Sequence, residues 1–297
     1  MQIVYSDHFA LPLPAGHRFP GSKYTALRER LVGEGVIEAG ALVAASRAHR
    51  DDLLRAHDAA YVDAVTGGTL DASAVRRIGF PWSDSLVRRV EGTVGGAIAA
   101  AERALADGIG GQIAGGTHHA HRDFGSGFCV YNDFAVVALR LIETGQVQRV
   151  AIVDLDVHQG DGNAAILAGH PGVFVFSMHG ARNFPFRKHD SDLDVALPDG
   201  TEDAAYLHAL DTHLPEVFAF RPDIVLYQAG VDPLAEDRLG RLSLTHAGLK
   251  ARDRMVLETC ARRGIPVSLG LGGGYADPVE ATVEANLNTW RVARAIY

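Results

Sequence analysis

The chain reads as an α/β protein built on a mostly parallel, doubly wound sheet with helices on both faces, and three observations predict this. Short β-rich apolar runs alternate with longer stretches of helical periodicity along the sequence. Several of those runs are apolar on both faces, as central strands of a parallel sheet covered by helices are. Five of them give way at once to polar or glycine-rich residues, and open parallel sheets bind their ligands outside the carboxyl ends of the strands.

The elements follow in order. Gln2–Tyr5 is a first strand and Ser22–Val32 a first helix, with residues 10–24 forming a loop expected near a binding site. Asp51–Val65 is read as helical. In Asp84–Ala106, Leu86, Val90, Val94, Ile98 and Leu105 form one stripe, and Asp107-Gly108 supplies a stop. Strands are then expected at Gln112–Ala114, Arg149–Asp154, Val173–Ser177, Asp223–Gln228 and Pro266–Leu269. Helices are expected at Asn132–Thr144, Glu202–Phe218, His246–Arg263 and Asp277–Ile296. Alternation of this kind implies right-handed crossovers. No Pro/Ser-rich linker, charge block or repeat divides the 297 residues, 47% of them hydrophobic, so residues 1–297 are read as a single domain.

Composition narrows the function classes. A net charge of −8 argues against nucleic-acid binding and would suit a cationic substrate or a basic peptide. Cys129 and Cys260 form no CxxC, so a reducing cytoplasm is the simpler setting. Met1–Phe9 lacks the basic and long apolar regions of a secretory leader, and no run of 18 apolar residues suits a membrane. The sequence carries no signal of oligomeric state.

The chemistry concentrates where Ala151-Ile-Val-Asp-Leu-Asp-Val-His158 runs into Gln-Gly-Asp-Gly162. Asp154, Asp156 and His158 fall at alternate positions and share one face of an extended chain. Burying such acids calls for a cation, and a metal ion is the simplest one. Asp232, after Asp223–Gln228, is the best third ligand, with Asp237 its competitor; an N-cap before Pro233 is the structural alternative for Asp232. An Asp–His–Asp set suits zinc, but also Fe(II) or Co(II).

His118 and His119 follow Gly115-Gly116-Thr117 in a loop. They line a pocket or lie on the surface; in a pocket each needs an acceptor for its other ring nitrogen, and Asp154 and Asp161 are the spare acids. Gly270-x-Gly272 lacks the third glycine of a dinucleotide loop, since Tyr275 stands there. Tyr275 is either a core residue or a phenol aimed at a substrate oxygen. Phe128 and Phe184 wall an apolar channel or pack in the core. His57 and His179 are ambiguous, while His8, His17, His49, His170, His189, His208, His213 and His246 read as isolated surface residues.

Taken together, Gly-Thr-His118-His119-Ala, Gly127-Phe128-Cys129-x-x-Asn132-Asp133, Asp154-x-Asp156-x-His158-x-Gly-Asp161-Gly, Ser177-x-His179, Ala229-Gly230-x-Asp232-Pro and Gly272-Gly273-Gly274-Tyr275 resemble the histone deacetylase family in order and spacing, from about residue 1 to 290. Gln159, the short chain, and the stretches Asn183–Phe186 and Asp199–Asp203 are similar to class IV members and their bacterial relatives. Gly115-Gly116-Thr117 stands where a Pro-Gly is usual.

The resemblance implies an arginase/deacetylase fold and a zinc-dependent amidohydrolase that removes acetyl or longer acyl groups from lysine by metal-activated water. It makes Asp156, His158 and Asp232 the zinc ligands, and His118 and His119 the catalytic pair supported by Asp154 and Asp161. Tyr275 becomes the carbonyl-binding phenol, and Phe128 and Phe184, with Gly127, flank the acyl-lysine channel. It also implies a structural potassium ion at Asp154, Asp156, His158, Ser177 and Met178, held mostly by main-chain oxygens. Arginases need two metal ions and further bridging acids; Gly160 and Leu234 stand at those places here, so one metal is expected. An acetylpolyamine or other small acetylated amine is the alternative substrate. A non-catalytic acyl-lysine binding protein would be expected to have lost the phenol or a histidine.

Overall fold

Successive side chains of the interior strands go to opposite faces of one sheet and feed two separate apolar cores. The computed structural model describes residues 1–297. In β4 (Val150–Asp154), Val150 and Ile152 join one core while Ala151 and Val153 join the other. The strand β7 (Ile224–Gln228) repeats the pattern, with Ile224 and Leu226 on the first side and Val225 and Tyr227 on the second. All five residues of each strand are buried, which is why neither shows polar alternation.

The sheet has eight strands. The others are β1 (Ile3–Tyr5), β2 (Leu42–Ala44), β3 (Ile109–Ile113), β5 (Val173–Gly180), β6 (Leu193–Leu197) and β8 (Val267–Gly270). Their spatial order is β2-β1-β3-β8-β7-β4-β5-β6, and every pairing is parallel. The helices are α1 (Ser22–Gly33), α2 (Arg50–Ala56), α3 (Ala59–Gly67), α4 (Ala72–Ile78), α5 (Asp84–Asp107), α6 (Asp133–Glu143), α7 (Asp161–Leu167), α8 (Asp203–Ala219), α9 (His246–Arg263) and α10 (Val279–Ile296). Helices α1, α8, α9 and α10 cover one face, and α2, α3, α5, α6 and α7 contribute to the core on the other. The α/β architecture with helices on both faces is as the sequence predicts, and the sheet is parallel throughout.

Several boundaries differ. Asp51–Val65 is two helices, broken at His57-Asp58, where extended backbone ends α2 and opens α3. The strands β2 and β6 and the helices α4 and α7 were not expected from the sequence. The expected strand Gln112–Ala114 begins earlier, at Ile109, through Gly110 and Gly111. Those glycines are required by packing, because a Cβ at Gly110 would overlap the Ala100 carbonyl of α5. The strand β5 runs on to Gly180, so Ser177, Met178 and His179 belong to it and are not a loop beyond it.

Register aligns the carboxyl ends. Asp154 is paired with Ser177 on one side and with Gln228 on the other, and Gln228 with Gly270. The loops leaving β4, β7 and β8 therefore start at one level, and β3 joins them at the other side of β8. No helix is long and apolar enough to cross a membrane.

Candidate metal centre and the cavity above it

Asp156 and His158 stand two and four residues past the end of β4, and Asp232 four past β7, the neighbouring strand. All three are buried, and one donor atom from each lies within 4.8 Å of the others. His158 Nδ1 is 3.0 Å from Asp156 Oδ1 and 3.0 Å from Asp232 Oδ2. Ligands held about 2.0–2.2 Å from one tetrahedral ion stand roughly 3–3.5 Å apart, so the set has the dimensions of a metal site. Asp237 is not part of it. Its carboxylate accepts the backbone N–H groups of Leu239, Gly240 and Tyr275 and braces that loop. Nor does Asp232 cap a helix; its Oδ1 accepts the N–H of Val157 at 2.8 Å, which locks the two ligand loops together.

Electrostatics makes the same demand for a cation. Burial pushes Asp232 up, and the neighbouring Asp156 charge adds to this, to about 7. Asp156 is held well below its ordinary value, against burial, by His118 and His158. Burial alone would lower His158, but Asp156 and Asp232 raise it to about 10. The two carboxylates thus favour positive charge at this point of the site. Glycine is obligatory around these carboxylates. A Cβ at Gly230 or Gly272 would overlap Asp156, and one at Gly273 would overlap Asp232. Gly273 also donates its N–H to Asp156 Oδ2 at 2.6 Å.

His118 and His119 leave β3 through Gly115 and Gly116, both at positive φ and pressed against neighbouring chain. They are buried, with ring centres 4.1 Å apart, so they are not a surface pair. His118 Nδ1–H donates to Asp154 Oδ2 at 2.8 Å, and His119 Nδ1–H to Asp161 Oδ1 at 2.6 Å. Each pairing leaves Nε2 free. Burial would lower His118, but Asp154 and Asp156 raise it to about 9. Burial and the neighbouring His118 charge instead lower His119 to about 4, outweighing Asp161.

A further histidine, which the sequence did not single out, completes this arrangement. His121 Nε2–H donates to the second oxygen of Asp161 at 3.0 Å, and its ring stacks on Phe124 at 4.2 Å. His57 is structural: Nδ1–H donates to the His121 carbonyl, and Nε2 accepts the N–H of Asn132. Asn132 caps α6 and donates to the Ala120 carbonyl, while Asp133 accepts from Thr117. His179 meets Ser177 Oγ at 3.0 Å inside β5. His17 and His189 are less isolated than expected. The first bonds the Gly79 carbonyl, and the second lies edge-on to His121 at 5.2 Å. Buried Arg252 of α9 is also new; it donates to the carbonyls of Leu155, Ala229 and Gly230, which belong to the ligand loops.

Above these groups opens a cavity of about 580 Å³. His118, His119, Asp156, His158 and Tyr275 line it, with Gly127, Phe128 and Phe184 on its walls. Gly127 has φ +54°, and a Cβ there would meet His119 at 2.9 Å and Phe184 at 3.0 Å. Phe128 follows in the same left-handed region at φ 65°. The phenol of Tyr275 is pushed well above 10 by burial and by the charges of Asp156 and Asp232, so it stays protonated. A smaller cavity of about 60 Å³ adjoins behind Phe128 and Tyr275. Of the five polar segments expected to converge, those after β3, β4 and β8 line the cavity, and the one after β7 joins them through Asp232, which meets Asp156 and His158. Ser177–His179 lies in β5 and does not reach the cavity.

Comparison with known proteins places this geometry. The histone deacetylase domain matches residues 17–290. An uncharacterized protein of Picosynechococcus is 44% identical over 296 residues, covering 99% of each chain. Histone deacetylase 2 of Arabidopsis thaliana is 31% identical over 290 residues, covering 93% of this chain and 74% of its own. Among solved structures, a histone deacetylase homologue complexed with SAHA superposes with a TM-score of 0.86 at 25% identity, covering 100% of this chain and 84% of that one. The homologue from Aquifex aeolicus gives 0.83 at 25% identity, covering 98% and 83%.

Proposed function

This chain belongs to the histone deacetylase family, and from that premise we propose that it is a zinc-dependent hydrolase removing acetyl or longer acyl groups from lysine side chains. The observation that carries the reading is the Asp156–His158–Asp232 set, two members of which line a cavity that Tyr275 and His119 also face. Those three residues would hold the ion, which when bound supplies Lewis acidity toward an acyl oxygen and a water. Zinc suits the two carboxylates and imidazole, and Fe(II) shares that preference.

The protein's own groups divide the remaining work. Tyr275 donates its phenolic proton in a hydrogen bond to the acyl oxygen as negative charge builds there. His119, neutral at pH 7 with Nδ1–H tied to Asp161, takes the proton of the attacking water on Nε2 and delivers it to the departing amine. His118, paired with Asp154, holds positive charge beside the reacting centre. Phe128 and Phe184, with Gly127, keep the acyl-lysine stem dry. We extend the reading to a potassium ion at Asp154, Asp156, His158, Ser177 and Met178, where β4 and β5 are in register. Free, buried Cys129 and Cys260 suit a reducing, cytoplasmic setting.

A panel of acetyl-lysine peptides, longer acyl-lysine peptides and acetylpolyamines, compared by kcat/KM on zinc-loaded protein, tests the substrate. Highest efficiency on an acyl-lysine peptide is expected; preference for the acetylpolyamine would overturn the lysine reading. Tyr275→Phe is expected to lower turnover on the order of 10²–10³-fold with unchanged circular dichroism and zinc content. Full turnover in that variant would remove the phenol from the mechanism.

A further inference from the structure

The charge around the cavity mouth is opposite in sign to that of the chain. Net charge is −8, yet the charged residues of the outer wall are Arg18, Arg77, Arg182 and Arg241. The only carboxylate lining the cavity is Asp156, a member of the Asp156–His158–Asp232 set.

The arginines sit on two sides. Arg77 accepts the N–H of Gly127 on its carbonyl at 3.2 Å, and His17, next to Arg18, lies 5.9 Å from the ring of Phe128. This pair therefore flanks the Phe128 wall. Arg182 precedes Phe184 by two residues, and Arg241 donates its N–H to Asn183 Oδ1 at 3.2 Å, so the second pair flanks the Phe184 wall. Both guanidiniums of the second pair meet the single carboxylate of Asp199, at 2.7 and 3.1 Å. Their side chains remain 74% and 52% exposed. Arg77 donates to the Gly125 carbonyl and lies 4.4 Å over Phe124, partners that leave its charge uncompensated.

We infer that the acyl-lysine taken by this cavity lies within an acidic peptide segment, with carboxylates before and after the modified residue. The inference rests on the hydrolase reading and names its substrate class. The guanidinium fork matches a carboxylate in shape as well as charge. A small anion could engage one wall, whereas an extended peptide crossing the mouth meets both. A polycationic amine would place its ammonium groups among like charges. Exposed pairs are individually weak, so the rim acts through several contacts together and through steering of the encounter.

The test compares three peptides carrying the same acyl-lysine with Asp/Glu, Ser/Gly or Lys/Arg flanks, on zinc-loaded protein. At low salt, kcat/KM is expected to be about 3- to 30-fold higher for acidic than for neutral flanks, through KM, with basic flanks lowest. The gap should close near about 0.5 M NaCl, where screening is short-ranged. In Arg77→Gln/Arg241→Gln the acidic-to-neutral ratio should fall toward one. Equal or better use of neutral or basic flanks overturns the inference, as does an acidic preference that survives both substitutions. Absence of hydrolysis for all three peptides would instead defeat the hydrolase reading. Fluorescence anisotropy of the labelled peptides on Tyr275→Phe protein then ranks the flanks without turnover, and the same order is expected.

Discussion

Asp161 holds two histidines, His119 on one oxygen and His121 on the other. The second bond fixes the carboxylate plane and leaves Oδ1 aimed at His119. His121→Phe keeps the stacking on Phe124 but removes the donor, and kcat is expected to fall with KM and zinc content unchanged. His121→Gln, which restores an N–H near Nε2, should recover much of the loss; undiminished kcat in the Phe variant would show that His119 alone suffices to hold Asp161. His57 carries a pH signature. Burial lowers it to about 4 from an ordinary 6.5, so between these values the unfolded chain binds a proton that the folded one refuses. Stability therefore falls as pH drops from about 6.5 to about 4, by about 3 kcal/mol from this residue. Denaturant unfolding across that window should show a shallower pH slope in His57→Gln; an unchanged slope would contradict the assignment. The sequence exposed the pair 118–119 because adjacent histidines after glycines are unusual. It hid His121, two residues further on beside Arg122 and Asp123, because that setting looks like a solvated loop.

At the scale of elements, interior strands were readable and edges were not. Buried on both faces, β4 and β7 are continuous apolar runs, whereas β6 reads Leu-Asp-Val-Ala-Leu with exposed alternate residues and β2 is three residues long. Short α4 and α7 lack enough turns for a periodic stripe. Arg252 was equally hidden, since an arginine in a charged helix sequence signals solvent. In the fold it is fully buried, paired with Asp253 at 2.8 Å, and its donors hold the carbonyls behind Asp156 and Asp232. Arg252→Met leaves Asp253, which keeps the hydroxyls of Tyr227 and Thr289, without its cationic partner and those carbonyls without their donor, and is expected to destabilise the fold by about 3–5 kcal/mol while weakening zinc binding. Urea midpoints and zinc titration check both; wild-type values in each would show that the loops stand without it.

For the whole molecule, net charge was a poor guide to the charge at the cavity mouth. A chain at −8 suggests cationic ligands, but Arg18, Arg77, Arg182 and Arg241, scattered through the sequence, meet only at the mouth of the folded cavity. The Asp156–His158–Asp232 set was more legible than the rim, because two of its members lie close together past one strand end and the third follows the adjacent strand. Everything assigned to the cavity depends on one divalent ion gripped by Asp156, His158 and Asp232. Calorimetric zinc titration of chelator-stripped protein, alongside Asp232→Ala, tests that most directly. One ion per chain in the native protein and a large loss of affinity in the variant are expected; two ions, none, or undiminished binding by Asp232→Ala would contradict it.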